Sequence, residues 1–180
     1  LVWHFGKSGF SHVNSGLAAL LFEAIAPGIE IVSDKSWQCA VYDAYQNTGA
    51  PYPNFRLPES NIRFDARMEM AGWNRPGYTG WMPNAEIISP VGVAPLGKLV
   101  ERPIPLWKDY GLKPYVSVRR SVTGDTLYCR LPYNSQVTPY LKVEASAGQV
   151  IHIRTDNYEG GSQYNVRAEY VTRDGVQEYE

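Results

Sequence analysis

Nowhere in these 180 residues does helical periodicity run for more than two turns. Short apolar runs alternate with polar residues instead, and glycine and proline cut them at close intervals. Thr126–Leu131 sets Leu127, Cys129 and Leu131 on one face, because successive side chains of a strand point to opposite sides. Pro139–Ala145 and Tyr164–Val171 alternate in the same way, and Ala147-Gly148 marks a turn before Val150–Arg154. Ile29–Val32 and Tyr115–Val118 read as further short strands, and Gln38–Tyr42 as extended chain. Asp174-Gly175 is a type I′ hairpin signal after the strand ending at Val171. Leu17–Ala24 holds helix-forming residues, yet its short length before Pro27-Gly28 also suits a buried strand, and strands follow it. The pattern predicts an all-β chain of sandwich architecture.

The stretch from Phe64 to Ile88 organises the rest. It holds Phe64-Asp65-Ala66-Arg67, Gly72-Trp73, Arg75-Pro76-Gly77-Tyr78 and Gly80-Trp81-Met82-Pro83-Asn84-Ala85. Trp73 and Trp81 stand eight positions apart, and the glycines and proline between them exclude a continuous helix. This predicts a loop clamped by its aromatic side chains against a sheet, with a strand-like exit at Ala85–Ile88. Each buried Trp removes roughly 200 Å² from water, enough for two of them to anchor a long loop. The same residues also suit an exposed platform on which Trp73, Tyr78 and Trp81 stack against a sugar. A second loop, Gln46–Pro58, packs over the sheet or offers Tyr45, Tyr52, Phe55 and Arg56 to a ligand.

Composition narrows the classes. Hydrophobic residues make up 44% and charged residues 19%, a balance that supports a packed core. With a net charge of −1 the chain lacks the basic footprint of a nucleic-acid binder. No apolar run approaches the ~18 residues of a membrane span. Aromatics at 13% suit both an all-β fold and a carbohydrate-handling surface. The chain opens on the strand-like Leu1–Phe5 and stops within another such run at Val176–Glu180, which predicts a piece of a longer protein. Pro90–Pro105 reads as a crossover between two sheet domains.

Catalytic and metal motifs are scarce. No H-E-x-x-H, C-x-x-C, EF-hand loop or G-x-S-x-G elbow occurs, so neither a metal nor any other cofactor is expected. Gly6-Lys7-Ser8 has the ending of a phosphate loop, but Val2 stands where the upstream glycine belongs. Asp34, Asp43, Asp65, Glu69, Asp125, Asp156 and Glu159 supply carboxylates. A glycosidase needs two of these facing each other at about 5–5.5 Å or about 6.5–9.5 Å. Asp65 and Arg67 suit a salt-bridged pair or a turn anchor better than a catalytic acid. Cys39 and Cys129 permit a disulfide by count, but two buried free thiols are expected.

Several separate patches resemble the bacterial α-L-rhamnosidase family, in its Bacteroides-type branch. They are Val2–His12, the Ser-Asp-x-Ser-Trp stretch Ser33–Trp37, Phe64–Arg67, Gly72-Trp73 and Trp81–Ala85, in an order and spacing like that family's non-catalytic β-sandwich region. Pro139–Glu180, with Ala147–Ile151 and Glu169–Val171, resembles a second sandwich leading towards the catalytic domain. The resemblance implies residues 1–95 as an incomplete jelly-roll or galactose-binding-like sandwich and 96–180 as part of a second one. It implies a parent glycoside hydrolase that releases terminal α-L-rhamnose by inversion, exported to the periplasm or cell surface. The family's catalytic acids lie in an α/α toroid beyond these sandwiches, so no catalytic residue is carried over.

Three functions follow as expectations. The chain is the accessory region of such an enzyme, its partners being the catalytic domain of the same polypeptide and rhamnose-containing glycans. Alternatively it is a stand-alone carbohydrate-binding module using Trp73, Tyr78 and Trp81, or a structural sandwich with an open sheet edge for a partner chain.

Overall fold

The computed structural model describes residues 20–48, 62–81, 100–106, 108–133, 135, 137–154, 159–160, 163–164 and 167–179. The chain is all-β: among the described residues there are twelve strands and one short 3-10 turn. In chain order these are β1 (Glu23–Ala26), β2 (Ile29–Val32), β3 (Tyr45–Asn47), β4 (Ile62–Asp65), the 3-10 turn Ala66–Met68, β5 (Ser117–Arg120) and β6 (Leu127–Arg130). Then follow β7 (Leu141–Ala145), β8 (Val150–Arg154), β9 (Glu159–Gly160), β10 (Gln163–Tyr164), β11 (Arg167–Val171) and β12 (Gly175–Tyr179). They belong to two compact units, Leu1–Val100 with Ala145–Gly175 and Glu101–Glu144 with Val176–Glu180. The units therefore cut the chain differently from the expected 1–95 and 96–180 domains.

The physical reason is the central sheet of the first unit, whose order is β3-β4-β11-β8. β4 and β11 run parallel, pairing Arg63 with Glu169, Phe64 with Tyr170 and Asp65 with Val171. Two segments about a hundred residues apart thus become neighbours, which local alternation cannot announce. Alternation does determine what each face carries. Tyr45, Phe64, Tyr170 and Ile151 form one row across the sheet, and Gln46, Arg63, Glu169 and His152 form the row beside it. The two rows project to opposite faces. Phe64 and Tyr170 are 5% and 3% exposed and stack at 5.8 Å. Tyr45 meets Phe64 at 4.9 Å, and the Asp65 amide donates to the Ala44 carbonyl at 2.8 Å.

β1 and β2 form a hairpin through Pro27-Gly28. Proline supplies the φ of the first turn residue, and Gly28 takes the second at φ 77°, where a Cβ would be strained. Ser33 closes the open end: its amide donates to the Phe22 carbonyl at 2.8 Å, and its hydroxyl accepts from the Phe22 amide at 3.0 Å. Asp34 then accepts from the amide and hydroxyl of Ser36, chiefly the hydroxyl, and these bonds hold its carboxyl below the usual range. The turn lays Trp37 against Phe22 at 5.6 Å. Regular strand begins only at Glu23, and Leu20 and Leu21 are exposed, so a buried strand over 20–22 is not formed. Residues 17–19 lie outside the described residues. Gln38–Tyr42 contributes one isolated bridge, at Cys39.

The Asp174-Gly175 signal misled. β11 and β12 do not pair with each other; β11 pairs with β8, and β12 with β7. The ladder between β8 and β11 carries on past Val150 and Val171. Thr172 donates its amide to the Gln149 carbonyl at 2.9 Å, and the Gly148 amide donates to the Thr172 carbonyl at 2.8 Å. The Ala147 amide donates to the Asp174 carboxylate at 2.8 Å. The two turn signals therefore face each other across one ladder. Gly148 and Gly175 both take φ 85°, which lets each chain turn at that point without strain. Thr172 is fully buried, and its hydroxyl donates to the Ser146 carbonyl at 2.6 Å while accepting from the Gln149 amide at 3.0 Å.

In the second unit β5 and β6 form an antiparallel hairpin from Ser117↔Arg130 to Arg120↔Leu127. Its loop is held by Asp125, which accepts from the hydroxyls of Thr123, Ser121 and Thr126 at 2.6, 2.8 and 3.1 Å. Those bonds lower its carboxyl pKa. Arg119 lies 4.3 Å over the Tyr128 ring. β7 and β12 carry the Lys142–Glu178 ion pair at 3.6 Å. Cys39 and Cys129 are free thiols, and both are exposed where burial was expected, because β6 and the Cys39 bridge have no covering layer among the described residues.

Candidate functional site

The stretch after β4 is built by its own hydrogen bonds. Asp65 ends β4 and caps the 3-10 turn, accepting from the Arg67 amide at 3.1 Å. It also takes both arms of the Arg67 guanidinium, at 2.9 and 2.6 Å. The side-chain bonds to Arg67 hold the Asp65 carboxyl below the usual carboxylate range. Asp65 is thus the turn anchor that its spacing to Arg67 predicts. Successive turns follow: the Glu69 amide donates to Ala66, Ala71 to Glu69, Trp73 to Met70 and Arg75 to Gly72, at 3.4, 3.0, 3.2 and 3.0 Å. Gly72 and Gly77 take φ 78° and 84°, which folds the loop tightly.

Trp73, Tyr78 and Trp81 all come out half-buried. Trp73 meets Tyr42 edge-on at 6.4 Å, and Tyr42 in turn touches Tyr45 and Phe64 at 5.3 and 6.2 Å. A chain of ring contacts therefore runs from the buried Tyr170 to the half-buried Trp73. Tyr78 and Trp81 make a separate T-shaped contact at 5.0 Å. Their loop needs Gly80: a Cβ there would lie 2.6 Å from Cζ of Tyr78, well inside contact distance. The exit strand expected over Ala85–Ile88 lies outside the described residues, as do Tyr52, Phe55 and Arg56.

Two charged groups flank this aromatic chain. On the opposite face of the sheet Glu169, 6% exposed, receives Arg167 at 3.1 Å and Arg63 at 3.3 Å, with His152 at 3.6 Å. Beside the loop Glu69 pairs with Arg173 at 3.7 Å. Burial, and after it the Glu69 charge, push the Tyr42 phenol above the usual tyrosine range. Burial likewise raises Tyr170, with Glu69 adding to it and Arg173 opposing. Sequence reasoning missed both charged groups. The signal of the Glu169 group was present as charges at alternate positions, Arg63-x-Asp65 and Arg167-x-Glu169, which suits a solvated strand face equally well.

No family model, curated protein or solved structure matches the chain. What the arrangement can do must come from its own chemistry. Asp34, Asp65 and Asp125 are each engaged in local hydrogen bonds that stabilise turns. Among the described residues no group of three or more His, Cys, Asp and Glu side chains could hold a metal ion. No described helix is long and apolar enough to cross a membrane. Asp156 and the Glu159 side chain lie outside the described residues. What remains is an aromatic surface on a hydrogen-bonded loop, with a carboxylate beside it.

Proposed function

We propose that this chain is the accessory, non-catalytic β-sandwich region of an exported glycoside hydrolase that removes terminal α-L-rhamnose by inversion. Its work is to support the catalytic domain of the same polypeptide and to contact rhamnose-containing glycans through Trp73, Tyr78 and Trp81. The observation that carries the reading is the half-burial of all three rings, with Trp73 on a run of turns pinned by four backbone hydrogen bonds and Tyr78 packed against Trp81 at 5.0 Å. Aromatic rings fixed in this way and partly open to water can stack on the apolar face of a sugar with little ordering cost. The motif-bearing segments Ser33–Trp37, Phe64–Arg67 and Gly72-Trp73 fall in one compact unit, in support of a common structural role. The local engagement of Asp34, Asp65 and Asp125 favours a scaffold over a catalytic centre.

The test is the coding sequence beyond Glu180, followed by an assay of the longer product. A continuation into helical hairpins rich in Trp, Asp and Glu, with inverting release of rhamnose from an aryl rhamnoside, is the expected result. A stop codon close behind Glu180 overturns the enzyme reading and leaves a stand-alone binding module, favoured by the same half-buried rings.

A further inference from the structure

Glu69 is a carboxylate at the edge of the aromatic loop, just after the 3-10 turn. Its backbone is fixed on both sides, by donation to Ala66 and acceptance from Ala71. Trp73 is tied to the same turn through Met70, so the carboxylate and the indole are held within four residues of each other. The Glu69 side chain is 39% exposed, and its Oε2 lies 3.7 Å from Nη1 of Arg173. No hydrogen bond engages that carboxylate among the described residues, so Oε1 is left to accept. Tyr42 stands edge-on to Trp73 at 6.4 Å, and Tyr170 lies buried beneath the same chain of rings.

We propose that Glu69, held by Arg173, is the hydroxyl-accepting group of a sugar site floored by Trp73 and Tyr42, and that its ligand is a neutral glycan with vicinal hydroxyls. This rests on the carbohydrate reading above and adds to it the polar group and the ligand class. An aromatic floor with a few convergent polar groups is the usual make-up of a small-ligand site. A carboxylate accepts from two adjacent hydroxyls at once, and charge-assisted bonds of this kind are the stronger ones. The same charge rejects acidic sugars, because a uronate would place a second carboxylate beside Glu69. Burial raises the Tyr42 and Tyr170 phenols, and the Glu69 charge adds to both, in agreement with all three groups sharing one neighbourhood. Arg173 is a positioning residue: its guanidinium, 3.7 Å from Oε2, holds one side of the carboxylate and leaves Oε1 to the sugar.

The experiment is titration of the full chain with a neutral rhamnose-terminated trisaccharide and with its glucuronate-terminated counterpart, followed by calorimetry and Trp fluorescence. The wild type is expected to prefer the neutral glycan by about tenfold or more, the scale of one hydrogen bond to a charged group. Glu69→Gln should weaken neutral binding by about the same factor and narrow the gap to the uronate, with an unchanged unfolding midpoint. Arg173→Gln should weaken neutral binding by a smaller factor. If the wild type binds the neutral glycan and Glu69→Gln binds it equally well, or if the uronate binds as tightly, this inference fails while the carbohydrate reading stands. If the wild type binds neither glycan, both fail.

Discussion

Replacing Thr172 with valine tests the most specific packing argument in the fold. The two side chains have nearly the same shape, so the change deletes the hydroxyl and little else. That hydroxyl donates to the Ser146 carbonyl at 2.6 Å and accepts from the Gln149 amide at 3.0 Å, from a fully buried position. Each lost hydrogen bond is worth about 0.5–1.5 kcal/mol net, and a buried backbone group left without a partner costs about 1–3 kcal/mol. Ser146 and Gln149 are exposed residues, so water reaches part of what is vacated, and the two lost bonds, about 1–3 kcal/mol together, set the scale. The expected loss is about 1.5–3 kcal/mol. Thr172→Ser keeps the hydroxyl and loses one methyl, at about 1 kcal/mol. Urea unfolding followed by Trp fluorescence should rank the variants wild type, then Ser, then Val, with similar m-values. A valine variant within 0.5 kcal/mol of wild type, or above the serine variant, would show that the hydroxyl does not hold this ladder together (the threshold being about the scatter of surface substitutions).

Other outcomes follow from the charges and the loop. Glu169→Ala removes the carboxylate shared by Arg63 and the buried Arg167, and chemical unfolding should report a loss of about 3–5 kcal/mol, the scale for breaking a buried pair. Asp65 has a folded pKa below its unfolded value of about 3.9, so its contribution is fully present above that value and is lost as pH falls through the folded one. Asp65→Asn should therefore flatten the fall in unfolding midpoint measured from pH 5 downwards, and an unchanged slope would refute the Arg67 assignment. Gly80→Ala should displace Tyr78 from Trp81, seen as a change in near-ultraviolet circular dichroism with little loss of stability, since the clash is with a side chain.

Much of the fold was legible because strand alternation is local. The runs around Ile29–Val32, Leu127–Arg130, Leu141–Ala145, Val150–Arg154 and Arg167–Val171 were all readable as strands from residue order alone. Pairing was not. Asp174-Gly175 carries the composition of a hairpin turn, yet Thr172 and Asp174 find partners at 146–149, and those bonds assign β11 and β12 to different neighbours. The candidate site divides in the same way. Trp73, Tyr78 and Trp81 stood out by type and spacing, and the glycines and proline between them predicted the loop that forms. Glu69 was one carboxylate among many until Arg173, more than a hundred positions away, came within 3.7 Å of it.

By itself the amino-acid order determined the all-β class, the tight turns at glycine, the capping of the 3-10 turn by Asp65 and the aromatic character of the loop. Each of these depends on contacts between residues a few positions apart, where backbone sterics and side-chain reach leave few alternatives. Only the tertiary structure decided that β4 and β11 lie side by side in parallel, that Glu169 is buried among arginines, and that Glu69 meets Arg173. Those outcomes rest on contacts between distant segments, and many pairings of the same strands satisfy the same local pattern equally well.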